Sequence, residues 1–246
     1  MTSINDLVSS IEQSGICPSC LAVERLMTTG EAIRFSTHIK IRDSHEPLVE
    51  ISGKFLRVVE PHPHLSIGAV YGKYSPFCVR EGVLGRLKQA SFQLSKVRPG
   101  FRLLIYDAYR PLSVQRFMID HEFSKLAAER KIEPGDLDQA GYQSLMDEVL
   151  TVWAAPDTKL TSPPPHSTGA AIDLTNINEA GNPLDMGSAI DAIGEVSLPN
   201  YFADSVAERE VVFHSNRELL NQVMTRAGFH RLPHEWWHFS YGDQMW

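Results

Sequence analysis

Near the C-terminus, His234-Glu235-Trp236-Trp237-His238 spells H-E-x-x-H. On a helix this spacing sets two imidazoles one turn apart around a carboxylate, the layout of a zinc-protease helix. The context opposes a helix. Pro233 can open one, but Gly242 closes it almost at once, and Trp236, Trp237, Phe239 and Tyr241 favour a strand. A helical site also takes a third ligand from further along the chain. Only eight residues follow His238, and none is His, Cys or Glu. The alternative is that Glu235 and His238 converge on one metal through an irregular turn that runs into a strand. Their odd separation would place them on opposite faces of a regular strand, so a turn or bulge at the Trp pair is required. His230 and His234 are then non-ligands, with His234 close enough to support Glu235 or meet a substrate.

The missing ligands stand upstream in "PPPHSTGAAIDLT". His166 follows a stiff proline run, Gly169 permits a tight turn, and a strand from Ala170 puts Asp173 on a defined face. Ala170, Ile172 and Leu174 then face the core, while Ala171, Asp173 and Thr175 face the other way. Two His and one carboxylate leave a fourth position for water, the open arrangement of catalytic zinc. A zinc ion lowers the pKa of that water to about 7. The same set also describes the iron triad of oxygenases. There the first His and the acid stand almost adjacent, whereas six residues separate His166 from Asp173, and a Glu three places before the last His has no use. A non-catalytic metal-binding module is a third alternative, but a structural site needs no base.

These side chains need a scaffold. "STHIKIRD" and "PLVEIS" alternate as strands do. "GVLGRLKQASFQLSKV" has helical apolar spacing, and "FRLLIYDAY" reads as a central buried strand. Pro111 pre-sets the first turn of a long amphipathic helix from Leu112, and "PGDLDQAGYQSLMDEVLTVWA" reads as another helix. "PDTKLTSPPP" is an extended connector. Ser215 to Glu218 forms an S-x-x-E capping box, which predicts a helix start there, with Gly228 ending that helix. "WHFSYG" is the last strand. Helices and strands without regular alternation predict an α+β fold with a small antiparallel sheet.

Composition bounds the function. The chain of 246 residues carries a net charge of −7 and no basic stripe, which argues against nucleic acid as a partner. No apolar run reaches the roughly 20 residues of a membrane span. The first residues lack the pattern of a secretory signal, and the three cysteines are too few for a disulfide framework. The expectation is a cytoplasmic protein. Cys17 and Cys20 read as reduced thiols, because a structural zinc would need a second pair and Cys78 stands alone. His62, His64 and His214 read as structural or surface residues; the H-x-H at His62 fits an extended loop as well as a metal pair.

Three motifs together carry a resemblance: H-x-x-G-x-A-x-D from His166 to Asp173, E-W-W-H from Glu235 to His238, and D-A-Y-R-P from Asp107 to Pro111. In this order they resemble the D-alanyl-D-alanine dipeptidase family. Those are zinc enzymes that share a single-domain fold with peptidoglycan D,D- and L,D-peptidases and with hedgehog-type domains. The resemblance covers roughly residues 55–246 and leaves 1–54 as an N-terminal extension of open role. It implies one Zn2+ held by His166, Asp173 and His238, Glu235 as base, Arg110 stabilising the tetrahedral intermediate, and a D,D-dipeptide as substrate. A carboxypeptidase acting on peptidoglycan stem peptides is the alternative within the same fold. Asp107 either orients Arg110 or faces the substrate. Asp185, in a segment "LDMGS" that also resembles the family, either meets the substrate ammonium or caps a turn. The Trp pair reads as pocket wall and packing, with Trp237 a candidate substrate contact. Family members often carry Ser two residues before the first His ligand. Here Pro164 stands there, and any substrate contact made by that hydroxyl moves to Ser167 or Thr168.

Overall fold

In the computed structural model, residue 39 and residues 41–153 and 163–246 are described. Cys17, Cys20, half of "STHIKIRD" and most of the proline-rich connector fall outside them; residues 41–43 form no strand. The first elements are β1 (Leu48–Glu50), β2 (Leu56–Val58), a one-turn helix α1 (Pro63–Ser66), β3 (Cys78–Arg80) and α2 (Glu81–Val97). Then come β4 (Arg102–Asp107), α3 (Leu112–Glu129), α4 (Gln139–Val149) and β5 (Ala171–Ile177). The chain finishes with α5 (Glu208–Arg226), β6 (His230–Arg231) and β7 (His238–Ser240). This is the α+β arrangement that the unalternating order of elements predicts.

Five strands form one sheet in the order β2-β4-β5-β7-β6, and β1 pairs with β3 apart from it. The sheet is antiparallel except at one edge, where β2 runs parallel to β4. No residue pattern in "LRV" distinguishes the two directions; the long crossover through β3 and α2 decides it. β1 pairs with β3 and Ile51 packs on the core, so residues 48–51, the end of the N-terminal extension, pack on the unit that follows.

The central strand β5 is buried along all seven residues. Ile172 and Leu174 sit in a core with Leu87 and Leu94 of α2, Leu220 and Met224 of α5, and Phe239 of β7. That leaves Asp173 and Thr175 on the opposite face, the division the alternation predicts. A second cluster, built on Val114, Met118 and Phe123 of α3, Leu145 and Val149 of α4, and Trp153, flanks the site.

Two details of register matter for chemistry. The β4–β5 ladder shifts between Ile105 and Asp107, so Asp107 comes to stand opposite Asp173. A bulge re-aims side chains in this way. The helix start read at Ser215 is corrected. The helix begins at Glu208, and Ser215 lies inside it. The working signal is upstream: the Ser205 hydroxyl accepts from the Ala207 N–H and donates to Glu210, while Glu218 pairs with Arg231 at 2.9 Å. Gly228, at φ +93°, follows the last turn as expected.

Candidate metal centre

His166 sits in a helical turn, Pro165–Thr168, that ends at Gly169 with φ +76°. The left-handed backbone angle favours glycine there, and a Cβ would also displace the end of the Leu48 side chain. Asp173 comes from the middle of β5 and His238 from the first residue of β7, directly across the ladder. Residues 232–237 are not helical; they run as an irregular turn into β7, and this turn carries Glu235 to the side of His238 that faces Asp173. The literal H-E-x-x-H is therefore no helix.

The three donors converge. His166 Nε2 lies 3.2 Å from His238 Nδ1 and 3.1 Å from Asp173 Oδ2, and His238 Nδ1 lies 3.0 Å from Asp173 Oδ1. Ligands about 2.05 Å from a tetrahedral cation stand about 3.3 Å apart, so the spacing fits a small ion. The tautomers agree. His166 Nδ1 donates to the Ala108 carbonyl at 2.7 Å, which leaves Nε2 with its lone pair. On His238, Nε2 faces the Ser240 hydroxyl at 3.3 Å, which leaves Nδ1 for the centre. Two imidazole lone pairs and a carboxylate pointed at one another in a buried place call for a cation.

The local electrostatics carry the same signature. Burial by itself raises Asp173, but His166 and His238 outweigh it and hold its carboxyl below the usual range. Burial opposes charge on His238 too, yet the hydrogen bond and charge of Asp173 lift its pKa to about 9. Glu235 behaves differently. Its Oε2 lies 3.7 Å from His238 Nδ1 and it has no comparable cluster of donors, so burial pushes its carboxyl up to about 8.

Arg110 is 4% exposed and stands between the two facing carboxylates. Its Nε and Nη2 donate to Asp107 Oδ2 at 2.8 and 2.5 Å, Nη2 reaches Asp173 Oδ2 at 3.5 Å, and Nη1 donates to Gln115. The guanidinium also stacks over Trp153. Asp107 is thus paired with Arg110, the geometry of the first of its two readings. Burial pushes Asp107 up, but Arg110, His64 and His62 together hold it well below the ordinary carboxylate value.

His62 and His64 are buried rather than exposed, and with Asp107 they make a second trio whose donor atoms lie within 4.8 Å. Hydrogen bonding argues against a metal there. His62 Nδ1 accepts from the His64 N–H, so its Nε2 carries the proton it donates to Asp107 at 3.1 Å. Both nitrogens are engaged. Tyr71 also donates to Asp107, at 3.2 Å, which completes a network that fixes Asp107 and through it Arg110.

Other candidates take structural positions. Asp185 is exposed; it accepts from the Gly187 N–H at 3.0 Å, the turn-capping alternative, and pairs with Arg209 at 3.1 Å. Ser167 donates to the Arg110 carbonyl and Thr168 to the Pro165 carbonyl, so both hydroxyls have backbone partners. Trp237 is fully buried in the core against Trp236. His234 is half-buried outside the donor trio, and His214 and His230 lie on α5 and β6.

One residue the motifs did not single out is Asp191. It is half-buried, holds φ +62°, lies 3.9 Å from His64 Nε2, and its charge acts on Glu235, Arg110 and Tyr71. A signal existed in "LDMGSAID". An Asp two residues before a Gly is a natural turn cap, which leaves the second acid of that segment to face the site.

Comparison with known proteins gives the same assignment as the motifs. Residues 57–246 match the family model described as D-ala-D-ala dipeptidase. The chain is 42% identical to the D-alanyl-D-alanine dipeptidase of Synechocystis sp. (strain ATCC 27184 / PCC 6803 / Kazusa) over 214 residues, spanning 85% of this chain and 87% of that one. It is 34% identical to the D-alanyl-D-alanine dipeptidase of Escherichia coli (strain K12) over 141 residues, 57% and 55% of the two chains. Overlap with solved structures is looser: the LdcB LD-carboxypeptidase superposes with a TM-score of 0.43 and 18% identity, over 85% of this chain and 74% of that one. By sequence match across most of its length, the chain belongs to the D-alanyl-D-alanine dipeptidase family of peptidases.

Proposed function

We propose that the protein is a zinc-dependent dipeptidase that hydrolyses D-alanyl-D-alanine or a similar D,D-dipeptide. The observation that carries this reading is the trio of His166, Asp173 and His238, with donors 3.0–3.2 Å apart and Glu235 beside them. A zinc ion bound there would supply a Lewis acid for the attacking water and the scissile carbonyl.

The chain's own groups perform the proton and charge work. Glu235, kept from full solvation by burial, takes the proton of the attacking water and passes it to the leaving amine. Arg110, rigidly held by Asp107 and Gln115, presents positive charge beside Asp173, where an oxyanion develops. Asp191 supplies the negative charge that meets the free ammonium of a dipeptide. Among the described residues no helix is long and apolar enough to cross a membrane, and we assign the enzyme to the cytoplasm, where soluble dipeptides are its substrates.

A site with a dedicated acid for the ammonium rejects analogues that leave it unpaired. Free D-Ala-D-Ala should therefore be cleaved, N-acetyl-D-Ala-D-Ala and longer stem peptides should be poor, and L-Ala-L-Ala inert. A coupled assay for released D-alanine over this panel tests the reading. Efficient trimming of a pentapeptide stem, with little action on the dipeptide, would make the protein a carboxypeptidase instead.

Arg110 gives a second check. Arg110→Ala should keep zinc and lose about 10²–10³ in kcat. Truncation also strands the buried Asp107 carboxylate, a change that costs about 3–5 kcal/mol in a buried pair. Arg110→Lys, which keeps the charge, should be better folded and still slow, because one ammonium cannot replace the fork between Asp107, Asp173 and Gln115. Normal kcat in the Lys variant would remove Arg110 from the mechanism.

A further inference from the structure

Arg217, in the middle of α5, is fully buried, and its guanidinium meets backbone carbonyls rather than a carboxylate. Nε donates to Met186 O and Nη1 to Leu198 O, each at 2.7 Å; Nη2 donates to Val196 O at 2.9 Å and reaches Ser188 Oγ at 3.3 Å. Its Cζ lies 4.8 Å from the centre of the Phe202 ring and 5.5 Å from that of Trp236. Burial lowers its pKa to about 10, as expected for a cation solvated only by dipoles. An apolar side chain would fill this volume at less cost. What a guanidinium adds is several donors in one rigid fork.

The four acceptors bracket one position. Met186 and Ser188 precede Asp191, and Val196 and Leu198 follow it. Asp191 sits at φ +62°, in the left-handed region that Asp enters more readily than most residues, and the clamp holds the chain on both sides of it. The clamp also touches the turn that carries Glu235. Trp236 Nε1 donates to Ser188 Oγ at 2.8 Å, and the Trp236 N–H donates to Ser197 O at 3.1 Å. We infer that Arg217 is a positioning residue for substrate selection: it locks segment 186–198 so that Asp191 faces the metal centre, and thereby sets affinity for a free ammonium without touching reacting atoms. This rests on the role of Asp191 in the proposed dipeptidase.

The test uses zinc-loaded full-length protein. Arg217→Lys keeps charge but not the fork. It should raise KM for D-Ala-D-Ala about tenfold or more with kcat changed less than about threefold. In an Asp191→Asn background the same change should raise KM by less than about twofold, since both act on one contact. Ser188→Ala, which folds more safely, should shift KM in the same direction by less. Amide exchange across residues 186–198 should quicken in both variants. An unchanged KM, or effects that multiply independently of Asp191→Asn, would overturn the inference. If the parent enzyme hydrolyses no free dipeptide, the proposed function fails. The clamp is then judged by exchange alone, where unchanged protection of 186–198 overturns it.

Discussion

Protein carrying His166→Ala, Asp173→Ala or His238→Ala should emerge from purification with less than about a tenth of the zinc of the parent, and with no measurable turnover. Three protein ligands with one open position cannot spare a donor. The buried geometry sharpens the effect, because the two imidazoles and the carboxylate stand within 3.2 Å of one another and would share one cation. His234→Ala should keep its metal, since His234 lies outside the trio, and so should His62→Gln, since both His62 nitrogens have other partners. Elemental analysis of the purified variants decides the matter. Zinc lost from His234→Ala but retained by His166→Ala would return the literal H-E-x-x-H to the role of ligand pair. Iron in place of zinc in the parent would point to the oxygenase alternative.

Glu235→Gln should hold a full zinc complement while its turnover falls by about a hundredfold or more, because the amide keeps the shape and cannot accept the proton. Stability separates lost chemistry from lost folding. Burial raises the folded-state pKa of Glu235 to about 8, above its value in an unfolded chain. The folded form therefore holds that proton more tightly, and the ionised carboxylate detracts from stability as pH rises from about 4.5 towards 8. Gln removes this penalty. Metal-free Glu235→Gln should thus melt no lower than metal-free parent at neutral pH. Turnover near that of the parent would show that another group carries the proton.

Residue types and local spacing determined much of this protein. The apolar alternation of β4 and β5, the helical spacing of α2 and α3, and the glycine at 169 all follow from rules that act over one or two turns of chain. The same holds for the rejection of a helix at His234. Pro233, the aromatic run and Gly242 are local facts, and the turn into β7 obeys them. Three short motifs were enough to bring His166, Asp173, His238, Glu235, Asp107 and Arg110 under consideration, since each needs only a few neighbours to be recognised.

Tertiary structure decided what depends on distant segments meeting. The parallel pairing of β2 with β4 and the register shift that sets Asp107 opposite Asp173 are products of the whole sheet. The true start of α5 at Glu208 escaped the pattern because "EREVVFHS" has few core residues, while S-x-x-E recurs by chance inside the helix. That Asp185 is exposed and caps a turn while Asp191 lies 3.9 Å from His64 turned on how segment 186–198 folds over Arg217, thirty-one residues beyond Met186. His62 and His64 have no local mark that separates a loop histidine from a buried one. They become supports for Asp107 only because α1 packs against the end of β4, and a hydrogen bond across forty-five residues of sequence leaves no trace in either neighbourhood.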